Sequence, residues 1–197
     1  MVGNSLEQEI IGLYAGDVSS IYSINQIARR LGKKYPYINK KVTILIKNKI
    51  FKKTIAGRSY LCSLNLENEE TIYLLILNEI KKKKEALKKN SELQKTLEYI
   101  EKMNKVLSIG LVLKKEDSLY FVLEGEKEKS MFEASVIKQA MPGFSIETHT
   151  RESFLRLFAD DRELREDRVI LHGYEKYYEY MREIEDELKI RYSKLVP

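Results

Sequence analysis

Residues 21–64 (IYSINQIARRLGKKYPYINKKVTILIKNKIFKKTIAGRSYLCSL) restrict the fold more than any other stretch, because two helical periods and two strand periods follow each other without a gap. After a short strand, Ile24, Ile27, Ala28 and Leu31 recur at i, i+3, i+4 and i+7, the apolar stripe of a helix. Asn25 caps or begins that helix and Gly32 closes it before the turn Lys33-Lys34-Tyr35-Pro36. A second helix over 36–47 begins at Pro36, whose fixed φ suits a first turn. It points Ile38, Val42, Leu45 and Ile46 inward and leaves Tyr37, Lys40, Lys41, Ile44 and Lys47 facing away. Strands over 50–55 and 59–64 then form a hairpin around Ala56-Gly57-Arg58-Ser59. Upstream, Ser5 stands three residues before Gln8, a capping-box spacing. The helix it opens carries Leu6, Ile10 and Leu13 and is expected to end near Gly16.

Charge singles out the same region. Residues 1–66 hold eleven Lys/Arg against three Asp/Glu, residues 67–107 nine against eight, and residues 108–197 fifteen against nineteen. The net charge of +5 is therefore a strongly basic N-terminal third offset by an acidic C-terminal half. A local cationic excess of that kind is the footprint of a polyanion partner.

Further along, 71–89 reads as a helix with Ile72, Leu75, Ile76 and Ile80 on one side, its run Lys81-Lys82-Lys83-Lys84 expected as a solvated face or, more sharply, a phosphate contact. Asn90-Ser91 breaks it, and 91–107 resumes with Leu93, Leu97, Ile100 and Leu107 near heptad spacing. Strands follow over 106–113, 119–123 and 144–150, with a helix over 126–140 and a short one over 151–158 that Thr150 can cap. Residues 165–171 lead to His172-Gly173 and a last amphipathic helix over 174–192, with Tyr177, Met181, Ile184 and Leu188 inward. The chain thus divides into 1–66, a helical linker 67–107 able to serve dimerisation, and an α/β part 108–197; the fold class is α+β.

The single cysteine, Cys62, excludes an internal disulfide and a multi-cysteine zinc site, and its alternation with Tyr60 and Leu64 places it on one face of a strand as a small core residue. No leader pattern stands at the N-terminus, and the apolar run 72–77 is far short of a membrane span. A soluble cytoplasmic protein is the expectation. Charged residues at 33%, mostly Lys and Glu, suggest a thermophile with surface ion pairs; an AT-rich genome yields the same bias.

The order helix, strand, helix, turn, helix, hairpin over 5–64 resembles a winged helix-turn-helix DNA-binding domain. The resemblance implies that helix 36–47 enters the major groove of duplex DNA with Tyr37, Asn39, Lys40, Lys41, Thr43 and Lys47 on its face. It implies equally that Lys52, Lys53 and Arg58 set the wing, 52–59, on the backbone or in the minor groove.

A second resemblance covers roughly 91–185. The order helix, strand, strand, helix, strand, helix, then Arg168-Val169-Ile170-Leu171-His172-Gly173-Tyr174, looks like the minimal nucleotidyltransferase (polymerase-β-like) fold. That family's chemistry needs a Gly-Ser pair and an Asp-x-Asp pair holding Mg²⁺, and neither dipeptide pattern occurs in this chain. The place for the carboxylates reads Glu116-Asp117-Ser118, while Glu124 and Glu126 have the spacing at the wrong end of the strand. His149 and His172 lack partners at ligand spacing, and no Gly-rich phosphate loop is present. Tyr174, Tyr177, Tyr178 and Tyr180 read as packing residues.

No catalytic residue, metal or cofactor is therefore expected. The chain reads as a DNA-binding transcriptional regulator whose partner is double-stranded DNA, with a homodimer built on helices 71–107 or 174–192. A nucleotidyltransferase-like enzyme with a nucleic-acid-binding appendage, and a protein-interaction adaptor, are the competing readings.

Overall fold

In the computed structural model, Ser5 accepts a hydrogen bond from the Gln8 amide and starts α1, Leu6–Gly12. Residues 5–57, 59–102, 107–113, 118–136 and 143–193 are described. They form two compact units, one of 1–78 with 181–197 and one of 79–180.

In the first unit α1 leads through Tyr14 to β1, Tyr22–Ser23, then α2, Ile24–Arg30, and α3, Tyr35–Lys47. The hairpin β2, Phe51–Ala56, and β3, Ser59–Leu64, follows, and then the start of α4, Glu69–Lys89. The sheet has order β1-β3-β2, antiparallel throughout, with Phe51 opposite Leu64 and Ile55 opposite Tyr60. Three helices on one small sheet whose hairpin runs beyond them make a winged helix-turn-helix. Helix α1 stops at Gly12, not near Gly16, because the chain turns there to drive Tyr14 into the core. Ile10 and Ile11 of α1 and Tyr14 just beyond it are buried, whereas Leu6 and Leu13 stay half-exposed. Tyr14 donates to the Cys62 carbonyl at 3.0 Å and packs 5.0 Å from the rings of both Tyr22 and Phe51. One side chain thus ties the first helix to all three strands. Burial raises its phenol pKa, and pushes that of the Cys62 thiol up to about 11.

The second unit contains the rest of α4, α5 (Ser91–Lys102), β4 (Ile109–Leu113), β5 (Ser118–Leu123), α6 (Glu126–Val136) and β6 (Ser145–Thr150). Then come α7 (Arg151–Asp160), α8 (Arg162–Glu166), β7 (Arg168–His172) and the first part of α9 (Tyr174–Ser193). Strand order is β6-β5-β4-β7, with β5/β6 parallel and the other pairs antiparallel. Both central strands, β4 and β5, are buried along their whole length, as layers on both faces require. Leu93 and Ile100 of α5 and Phe132 of α6 pack with Val112, Leu119, Phe121, Leu123, Val169 and Leu171 on one face. Of the three α5 residues expected in a linker stripe, Leu93 and Ile100 are thus core residues of this unit and Leu97 packs against them, partly buried.

Across the sheet from that cluster lies a buried ion pair that the residue pattern did not announce. Arg168 reaches Glu79 at 3.5 Å, both side chains fully buried. The Arg168 guanidinium lies 4.4 Å from the Tyr177 ring and donates to the Arg165 carbonyl. Tyr178 and Lys82 also reach Glu79, at 3.5 and 3.3 Å. Lys83 donates to the Leu171 carbonyl at 2.7 Å. The run 81–84 is therefore not a uniformly solvated face: two of its four lysines hold the unit together, because α4 presents that side to the protein. Asn90 breaks α4 by accepting from the amides of Glu92 and Leu93, both at 3.0 Å, which caps α5.

Gly173 closes β7 with φ +79°, and a Cβ there would lie 1.9 Å from the Ser108 carbonyl oxygen. Gly173→Ala should therefore destabilise the chain by at least about 2 kcal/mol in urea denaturation, through the clash and the left-handed backbone together. Glu79→Ala should cost about 3–5 kcal/mol, since it strands the Arg168 charge, while a joint change to apolar residues of similar volume recovers most of the loss.

Candidate nucleic-acid interface

The basic face is built by how α2 and α3 begin and end. Ser23 and Gln26 form a full capping box at the start of α2, two residues ahead of the Asn25 cap expected. At its end the Lys33 and Gly32 amides donate to the carbonyls of Ala28 and Arg29, with Gly32 at φ +62°, a Schellman close. Pro36 occupies the first turn of α3, one residue after its start at Tyr35. The end of α3 repeats the device: Ile50 donates to Leu45 and Lys49 to Ile46. Here the left-handed residue is Lys49, at φ +59°, without glycine's freedom.

Ile38, Val42 and Leu45 are buried, which sets the rotation of α3 about its axis. Ile46 is half-buried. Lys40 and Lys47 consequently lie on the opposite side and are exposed, flanked by Tyr37, 67% exposed, and Ile44, 36% exposed. The other expected residues differ. Lys41 is half-buried and its ammonium sits 2.8 Å from Glu7 on α1. Asn39 is half-buried at the flank, and its carbonyl accepts from the Thr43 hydroxyl at 2.8 Å. Lys33 is likewise held by Glu9 at 2.9 Å.

The hairpin has two unlike faces. Phe51, Lys53 and Ile55 alternate onto the face that carries Leu64, Cys62 and Tyr60, the face that is core nearer the base. Past the body of the unit this face becomes an exposed strip, with Ile55 71% and Tyr60 47% exposed and the Lys53 ammonium 3.5 Å from the centre of the Tyr60 ring. Lys52 and Thr54 stand on the other face. Arg58 lies outside the described residues. The pattern of sequence alternation contained this distinction, but the two adjacent lysines were expected to act together.

In the second unit an open cleft of about 940 Å³ is lined by residues that include Lys83, Ser108, Glu124, His172 and Lys176. Three lysines face four glutamates there, so the lining favours neither sign of ligand. Several of these groups are already committed. Burial lowers the pKa of Lys83 and of His172, whose ring bonds the Leu107 backbone. Glu124 accepts from Ser108 and Tyr180 at 3.1 and 3.3 Å, so it is no free metal ligand. His149 stacks on Tyr120 at 5.8 Å. Glu116 and Asp117 lie outside the described residues. Among the described residues no cluster of three His, Cys, Asp or Glu is placed to hold a metal, and no helix is long and apolar enough to cross a membrane.

No protein-family model and no curated protein matches the chain. Among solved structures it is similar to Staphylococcus aureus MarR, solved in complex with salicylate and kanamycin. That match has 15% identity and a TM-score of 0.34, covering 52% of this chain and 72% of the other. The winged-helix assignment rests on this chain's own element order, sheet order and register.

Lys49→Gly should raise stability by about 1 kcal/mol in chemical denaturation, because glycine occupies the left-handed position at the end of α3 without the Cβ penalty.

Proposed function

We propose that the first unit binds duplex DNA and that the protein acts as a transcriptional regulator. The observation that carries this reading is the outward face of α3: Lys40 and Lys47 are exposed, opposite the buried Ile38, Val42 and Leu45, in the most basic part of the chain. Lysines on a protruding helix can neutralise phosphates and bond guanine edges, and the helix has the width that a major groove admits. The wing adds Lys53 on the face it shares with the helices. Lys41 then has a different part. Bound to Glu7, it aligns α3 on α1 and contributes less to DNA directly.

Neither a Gly-Ser nor an Asp-x-Asp pair stands anywhere in the chain, so we assign the second unit no nucleotidyl transfer. Its sheet and buried charges make it a supporting or partner-binding unit in this reading.

The test is binding of the full chain to a pool of random duplexes across a salt series. Affinity should fall steeply with salt as counterions are released. Lys40→Ala, Lys47→Ala and Lys53→Ala should each weaken binding and reduce the logarithmic salt slope by about 1. Lys41→Ala and Lys52→Ala should change it less. Absence of duplex binding by the parent chain at low salt would overturn the proposal.

A further inference from the structure

We propose that Ile44 reads thymine, by packing its side chain against the C5-methyl group in the major groove. The inference rests on the duplex-binding role of α3 and adds what kind of sequence that helix selects. Ile44 follows Lys40 by one turn and precedes Lys47 by one turn, so it lies within the strip that meets the groove floor if the lysines reach bases or phosphates. It is 36% exposed, and its side chain is entirely hydrocarbon. Among the four bases only thymine presents a methyl group on its major-groove edge, beside hydrogen-bonding groups like those of G, C and A. An isoleucine pressed on those polar edges displaces their water and returns no hydrogen bond. Against the methyl it buries apolar surface on both partners.

The neighbours leave this role to Ile44. The Thr43 hydroxyl donates its hydrogen bond to the Asn39 carbonyl, and its single methyl offers less carbon surface than the Ile44 side chain. Tyr37 and the two lysines end in polar groups that suit phosphates and purine edges. Among the described residues of the first unit, the other large exposed aliphatic side chains, Ile21, Ile55 and Leu77, all lie off α3.

The test uses duplexes selected by the full-length chain from a random pool, with each thymine replaced in turn by uracil. That exchange removes the methyl and leaves base pairing intact. At one or two positions uracil should weaken binding about four-fold, the effect of one methyl group. Ile44→Ala should lose a similar factor on the thymine duplex and no longer distinguish uracil from thymine; Ile44→Val should still distinguish them. Equal binding of every uracil duplex by the parent overturns the inference while leaving duplex binding intact. Discrimination that persists in Ile44→Ala overturns it too, by placing the methyl contact elsewhere. Failure of the parent to bind any duplex removes the reading beneath it and the inference together.

Discussion

The rotation of α3 about its own axis decides what this protein can touch. Burying Ile38, Val42 and Leu45 stabilises the unit by about 1.5–3 kcal/mol for each side chain, more than a surface lysine gains from any single contact. The helix therefore cannot turn to suit its charges. Lys40, Ile44 and Lys47 are outward because three apolar residues are inward, and the Schellman closes of α2 and α3 fix where the helix starts and stops. Tyr14 locks the sheet beneath the helices by joining α1 to Cys62, Tyr22 and Phe51.

The second unit is organised by a different kind of constraint. Its two central strands are buried on both faces, yet Glu79 and Arg168 are enclosed with them. Two charges removed from water are a poor source of stability unless each is matched, and here Tyr178 and Lys82 join Arg168 at one Glu79 carboxylate oxygen while Tyr177 and the Arg165 carbonyl flank the guanidinium. Such a cluster specifies one alignment of α4 with β7, since any slip of either element exposes a charge to an apolar neighbour. The lysines after Glu79 acquire structural work from the same alignment, Lys83 bonding the end of β7.

Much of the fold was legible because periodicity and punctuation agree along the chain. The helix over 36–47, both hairpin strands and the Thr150 cap stand within a residue or two of the structure, and Thr150 accepts from the Ser153 amide as its position suggests. Misses fell where a side chain acts at long range. Tyr14 shortens α1 because it is wanted by strands far along the chain, and α8 exists through a cap from Asp161 inside a polar segment with no apolar period. Lys41 looked equivalent to Lys40 until Glu7, 34 positions away, was found at its ammonium.

The sequence by itself determined which residues are apolar at which spacing, and so the element types, the inward side of α3 and the basic bias of the first 66 residues. Helical and strand periods are local properties, readable without any partner in space. Only the tertiary structure decided which charges remain available. It committed Lys41, Lys82 and Lys83, sealed Glu79 against Arg168, and put Lys53 and Lys52 on opposite faces of one hairpin. The physical reason is that a charge is satisfied by whatever lies within a few ångströms, and that neighbour is set by packing rather than by position in the chain.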